Sequence, residues 1–254
     1  MPVTNQLWFV FRRARYRLRQ YCARRPALFF PLYAVNPLNR SRMIGRQTRI
    51  VIEGFPRSAN TFAVAALLEA NPGLGERAIA HHLHAQAQVL RAVARDVPAL
   101  VLIRRPADAV RSLVVRHPFI RVEEALRDYA RFYRDLLPHR ARFVIADFDE
   151  VTGGFAAVVR RLNEKFGLAL QAPGADAASM QRVWAAIDRW NDERSKGALT
   201  HLHRPSPERD ALIRRVTVPT ASAACREAME VYEKFLGGRP PPRPPRTGTD
   251  AGGE

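Results

Sequence analysis

Residues 49–62 read RIVIEGFPRSANTF. Ile50, Val51 and Ile52 are β-branched and consecutive, so 49–55 is expected to be a strand. Gly54 and Pro56 end it. Residues 61–69 (TFAVAALLE) are expected to be helical until Asn71-Pro72-Gly73 stops them. A strand, a short polar loop and a helix in this order bring backbone N–H groups and a helix N-terminus together at the loop. Ser58, Asn60 and Thr61 add side-chain donors there, and Arg57 adds a fixed positive charge. The loop is suited to a phosphate or a sulfate group.

The flanking sequence repeats the alternation. Residues 99–104 (ALVLIR) are an apolar run of buried-strand length, 142–146 (RFVIA) are a third strand, and 78–81 are a short candidate. Helices are expected over 85–95, 107–115 behind Pro106, 122–136, 155–166, 180–193 and 221–235. Apolar strands alternating with helices imply an α/β fold. The expected architecture is a three-layer sandwich with a central parallel sheet, a P-loop-like strand–loop–helix and a helical C-terminal part. Residues 195–207 read as a basic, turn-rich loop. From Gly237 onward Pro, Gly and Arg dominate and cannot form a core, so a disordered tail is expected. The organisation is a basic aromatic arm over 1–48, a domain over 49–236 and a tail over 237–254.

Composition bounds the function. In 254 residues, 47% are hydrophobic and 26% charged, which excludes a wholly disordered chain. No apolar run approaches the ~18 residues of a spanning helix. Leu7 to Phe11 is apolar, but Arg12 and Arg13 interrupt it, so no signal peptide is expected. Cys22 and Cys225 cannot build a disulfide framework, and a reducing cytoplasm is the expected compartment. The net charge of +17 is uneven: the first 52 residues hold 11 Arg and no acid. Within 7–21 (LWFVFRRARYRLRQY), Leu7, Phe11, Ala14 and Leu18 share one side of a helix, which Pro26 ends. Residues 27–39 (ALFFPLYAVNPLN) read as an irregular, proline-broken packed segment. The arm is either a surface-lying amphipathic helix that meets anionic lipid at the inner face of the membrane, or a helix packed on the domain with its arginines solvated. No helix-turn-helix or RNA-binding signature accompanies the charge, so no specific nucleic-acid partner is expected.

Compared with the nucleotide P-loop GxxxxGK[ST], Gly54 and Thr61 fall in register, but Ala59 replaces the second glycine and Asn60 the lysine. Strand 99–104 ends in Arg104-Arg105, not in a carboxylate that could hold magnesium. The loop PRSANTF instead resembles the sulfate-binding loop of the sulfotransferases that use 3′-phosphoadenosine 5′-phosphosulfate (PAPS). Arg57, Ser58, Thr61 and Phe62 match that loop, while Ala59 stands at a glycine and Asn60 at a hydroxyl residue. Ala59 brings a Cβ toward the anion and disfavours positive φ. A second signature of the family, an arginine after a later strand and a serine eight residues on, is present as Arg104 and Ser112, with Pro106 and Asp108 between. It implies a site for the nucleotide 3′-phosphate.

The resemblance covers 49–167 well and 168–236 loosely. It implies sulfuryl transfer from PAPS to an acceptor hydroxyl on a saccharide, lipid, small alcohol or phenol, with no metal. Arg57 would stabilise charge on the leaving phosphate. His82-Leu83 aligns with a family motif that carries the catalytic histidine, with Ala80 where a lysine usually stands. His84 or a carboxylate are the alternative bases. Arg194, Lys196 and Gly197 resemble a late loop that closes over the 3′-phosphate. Two rival readings remain: a P-loop phosphotransferase, and a non-catalytic anion- or nucleic-acid-binding protein.

Overall fold

The structure is a computed structural model that describes residues 3–174, 176–195 and 207–237, with side chains described for 7–174, 176–190 and 207–237. Of the expected tail over 237–254 all but Gly237, most of the 195–207 loop, and the candidate residues Lys196 and Gly197 lie outside the described residues.

Three helices come first: α1 (Val3–Ala23), α2 (Pro26–Ala34) and α3 (Pro37–Arg40). The domain follows as β1 (Ile50–Gly54), α4 (Asn60–Ala70), β2 (Ile79–His81), α5 (Gln86–Ala94), β3 (Ala99–Ile103), α6 (Pro106–Arg116), α7 (Val122–Leu136), β4 (Val144–Asp147) and α8 (Phe148–Phe166). Helices α9 (Ala177–Ser195), α10 (Pro207–Arg214) and α11 (Ala223–Leu236) close the described chain. The four strands form one parallel sheet in the order β2-β1-β3-β4.

Side-chain alternation along the strands builds a layer on each face. Ile50, Ile52, Leu100 and Leu102 point to one face, where α4, α8 and α9 cover them through Val64, Leu67, Val158 and Ile187. Val51, Val101 and Ile103 point to the other, against α5, α6, α7 and α11 through Val89, Val110, Tyr133 and Phe235. Every residue of β1, β2 and β3 is buried, as a parallel sheet covered on both faces requires.

The strand order sets the position of the site. From β1 the chain leaves through α4 to β2 on one side; β3 lies on the other side. The C-terminal ends of β1 and β3 therefore flank the point where the order reverses, which is where open α/β sheets bind ligands. The two strands approach closely there. A Cβ added at Gly54 would stand 2.3 Å from the Leu102 carbonyl oxygen.

The structure corrects two local readings and adds to a third. Residues 27–39 are not irregular but form α2 and α3. Pro26 and Pro37 occupy first-turn positions, where a missing N–H costs little, and the buried Phe29 and Phe30 hold α2 together across Pro31. Within α8 the backbone breaks at the non-helical Gly154, so the expected 155–166 helix is present beyond that kink, and a short helical segment from Phe148, started by the Asp147–Glu150 capping box, precedes it. Helix α10 has no counterpart in the sequence reading. Cys22 and Cys225 are both free and buried.

Gly54→Ala should lower stability by about 3 kcal/mol in urea unfolding, since the new methyl meets rigid backbone. A loss below about 0.5 kcal/mol, the scale of a neutral surface change, would show that β1 and β3 are not held in this close approach.

Candidate functional site

The loop after β1 is held from below by α7. Tyr129 and Tyr133, four apart on that helix, reach the strand ends. The Phe55 N–H donates to the Tyr133 hydroxyl (3.1 Å), which donates to the Leu102 carbonyl (2.7 Å). The Tyr129 hydroxyl donates to the Arg104 carbonyl (2.6 Å). Above this floor the loop curls, with φ of 73° at Arg57 and 67° at Ala59, on either side of Ser58. Such a reversal makes a concave backbone suited to an anion. Ala59 adopts the left-handed conformation despite its Cβ, a strain on the order of 1 kcal/mol. Asn60 donates to the Phe55 carbonyl (3.3 Å) and braces the turn. The Ser58 hydroxyl is buried beside the Tyr133 phenol, with no well-aligned hydrogen-bond partner among the described residues.

Four arginines converge on this loop. Arg57 donates through Nε to the Ser112 hydroxyl (2.9 Å), and Arg209 donates through Nη2 to the same oxygen (2.7 Å). Arg104 donates to the Arg57 carbonyl (3.2 Å), and its guanidinium lies 3.9 Å over the Phe148 ring. Burial lowers the pKa of Arg57, Arg104, Arg116 and Arg209. The charges of Arg209, Arg116 and Arg104 lower that of Arg57 further. All four remain cationic at neutral pH. Like charges held together out of water repel, and a bound anion relieves that repulsion.

A second group stands beside the loop. His82 Nε2 is 3.0 Å from Thr61 Oγ1, and the Nδ1 atoms of His81 and His82 are in hydrogen-bond contact. His84 Nδ1 is 2.9 Å from the Gly54 carbonyl, which can only accept, so Nδ1 carries the proton. Burial, and then the charge of Arg19, pushes the His84 pKa down to about 3. The segment is pinned by Glu53, which projects from β1. Its carboxyl accepts from the backbone N–H groups of Leu83 (3.0 Å) and His84 (2.8 Å), and from Gln88 Nε2 (3.4 Å). Full burial raises its pKa to about 8, against the opposing pull of those three bonds. Residues His82 and His84 also hold positive φ, 59° and 46°. Among the described residues, no group of three His, Cys, Asp or Glu is placed to hold a metal ion.

Arg57, Ser58, Ala59, Asn60, Thr61, His82, Arg104 and Ser112 thus gather at the C-terminal edge of β1 and β3. Phe62 does not. Its ring turns away into the core against Trp184 (5.5 Å) and Phe155 (6.3 Å), because the α4 surface that carries it packs on α8 and α9. Arg194 falls in the last turn of α9, with its side chain outside the described residues. Sequence reasoning missed Arg116, Arg209 and Glu53. Pro207-Glu208 is a helix-start pattern that marks α10, but nothing local shows that α10 packs on α6 and aims Arg209 at Ser112. Glu53 had a signal: it is a lone acid in an otherwise apolar strand.

Ala59→Gly should raise stability by about 1 kcal/mol in urea unfolding, since glycine adopts this φ freely; a destabilisation would refute the strained-loop reading. A pH dependence follows from Glu53 and His84. The Glu53 pKa rises on folding from an ordinary 4.5 to about 8, so its contribution is present below 4.5 and is lost as pH rises to 8. That of His84 falls from 6.5 to about 3, so its contribution is present above 6.5 and is lost as pH falls. Between pH 6.5 and 8 only the Glu53 contribution changes of these two. Across that window thermal melts of wild type should fall more steeply with pH than those of Glu53→Gln. Parallel slopes would show that Glu53 is ionised throughout.

Neither a protein-family model nor a curated protein matches this chain. The assignment of the site therefore rests on its residues and their geometry.

Proposed function

We propose that the protein is a sulfotransferase that moves a sulfuryl group from PAPS to an acceptor hydroxyl. One observation carries the reading. Two motifs far apart in sequence, the 57–62 loop and the Arg104–Ser112 pair, meet through the Arg57–Ser112 hydrogen bond at the strand-order reversal. A loop that binds the 5′-phosphosulfate and a serine–arginine pair that binds the 3′-phosphate would need to be adjacent in this way. The loop and its α4 extension then act as a P-loop-like cradle without a lysine.

In this reading the backbone N–H groups of 57–61 and the Ser58 hydroxyl hold the 5′-phosphate side of the donor. Arg104, Ser112 and Arg209 hold the 3′-phosphate, and Arg116 adds to the positive field. The transfer forms a bond from the acceptor oxygen to sulfur as the bond from sulfur to the bridging phosphate oxygen breaks. Arg57 stabilises the charge that grows on that bridging oxygen. His82 accepts the acceptor proton at Nε2, the acceptor hydroxyl taking the place of the Thr61 hydroxyl that contacts this atom here. His84 is the weaker candidate base: its Nδ1–H donation to the Gly54 carbonyl leaves Nε2 as the accepting atom, but burial holds its pKa far below neutrality. Glu53 positions the histidine segment.

The test is calorimetric titration with 3′-phosphoadenosine 5′-phosphate, without magnesium, with ADP and 5′-AMP as controls. Binding should require the 3′-phosphate. It should weaken at least about tenfold in Arg104→Ala and Arg209→Ala, as expected for a lost charge-assisted hydrogen bond. His82→Ala should retain binding while losing on the order of 100-fold or more in turnover. Equal affinity for ADP would favour a phosphotransferase, and no binding of any nucleotide would defeat the proposal.

A further inference from the structure

We infer that the N-terminal helices form a docking surface for an anionic lipid membrane. The observation is an inverted helix. On α1 the side toward the domain is largely polar: Arg13 and Arg17 pair with Glu124 on α7 (2.7 and 2.5 Å) and Arg24 pairs with Asp135 (2.7 Å), beside the buried Tyr16 and Ala23. The apolar side faces outward. Leu7, Val10, Phe11 and Leu18 are 64–68% exposed, and Ala14 and Tyr21 continue their line. Their spacing of three, four and seven is one continuous stripe on a helix. It lies roughly opposite Tyr16 and Ala23, two of the buried residues of α1, with the buried Cys22 between the two sides.

The same surface continues along the arm. Of the eleven large apolar side chains exposed among the described residues, ten lie between Leu7 and Leu38; the other is Leu212. Exposed apolar side chains in one zone mark an interaction site, whereas scattered ones do not. Arginines flank the stripe, Arg15 and Arg19 on one side and Arg17 on the other; Arg17 and Arg19 turn to Glu124 and the Leu83 carbonyl, Arg15 is exposed, and no acid occurs before Glu53.

That pattern selects the partner. An apolar stripe edged by arginines in an arm with no acid fits the boundary between lipid headgroups and acyl chains, with Arg15 reaching outward to phosphate and the arm's net positive charge adding to the attraction. A nucleic-acid backbone would engage the arginines but leave the stripe in water. A second copy would bring two uniformly basic arms together. No helix of the described chain is long and apolar enough to cross a membrane, so contact is from one side. The Arg19 guanidinium also donates to the Leu83 carbonyl (3.1 Å), which places the docking helix against the segment that carries His82 and His84. The inference stands independently of the sulfuryl-transfer reading.

The experiment is flotation of the full chain with vesicles of phosphatidylcholine alone, or of phosphatidylcholine and phosphatidylglycerol in equal parts. Wild type should float with the mixed vesicles and far less with the neutral ones. Phe11→Ser/Leu18→Ser should lose at least about tenfold in partitioning, because both side chains leave water on docking. Both positions are exposed, and an unchanged circular dichroism melt would show that the fold survives. Should the double variant fold poorly, Trp8 in the unaltered chain gives a second readout, a fluorescence blue shift with mixed vesicles. Absence of flotation and of blue shift overturns the proposal, as does equal binding to neutral vesicles. A lipid-free dimer that the double variant dissociates also overturns it and assigns the stripe to a second copy.

Discussion

Strands β1 and β3 run side by side with almost no space between their C-terminal ends. Gly54 sits so near the Leu102 carbonyl that a methyl group cannot enter. From this contact the rest of the site follows. The chain leaves β1 into the Arg57 loop and leaves β3 at Arg104, so the two arginines start from neighbouring strand ends. Tyr133 bridges the Phe55 N–H to the Leu102 carbonyl, and Tyr129 takes the Arg104 carbonyl. Helix α7 thereby satisfies backbone groups where the chain leaves the two strands. Losing this floor would free both strand ends at once.

Above the floor the protein accepts two kinds of cost in one place. Four of the five non-glycine residues with positive φ among the described residues are Arg57, Ala59, His82 and His84. The neighbouring arginines are held close together and out of water. Strain and like-charge repulsion that collect at one point of a fold are the physical marks of a site shaped for a ligand. An anion among the guanidiniums would offset the repulsion. Glu53 completes the arrangement from within the sheet, since its two carboxyl oxygens hold the turn that presents the histidines.

The arm reverses the usual relation between polarity and burial. Most helices that pack on a domain turn apolar residues inward. Helix α1 meets the domain through ion pairs to Glu124 and Asp135 beside the buried Tyr16 and Ala23, while its apolar stripe faces out. Both readings of the sequence therefore contain part of the outcome: the helix packs on the domain, and it also presents the amphipathic surface. Helix α2 supplies the apolar hold, with Phe29 and Phe30 in the same core as Val51 and Val101.

The residues alone determined the strand–loop–helix units, because β-branched runs such as Ile50–Ile52 and stops such as Asn71-Pro72-Gly73 act through local backbone preference. They also determined the loop donors, since Arg57, Ser58 and Thr61 are adjacent in the chain. Local preference could not show that α2 survives Pro31, because the burial of Phe29 and Phe30 against distant residues decides it. It could not separate Phe62, which turns into the core, from its neighbours that face the loop. Nor could it find Arg209, which meets Ser112 across 97 positions, or give Glu53 its partners in the 83–84 turn. Those contacts exist only once the sheet has ordered its strands, since packing between distant segments depends on where the whole chain runs and not on what any segment prefers.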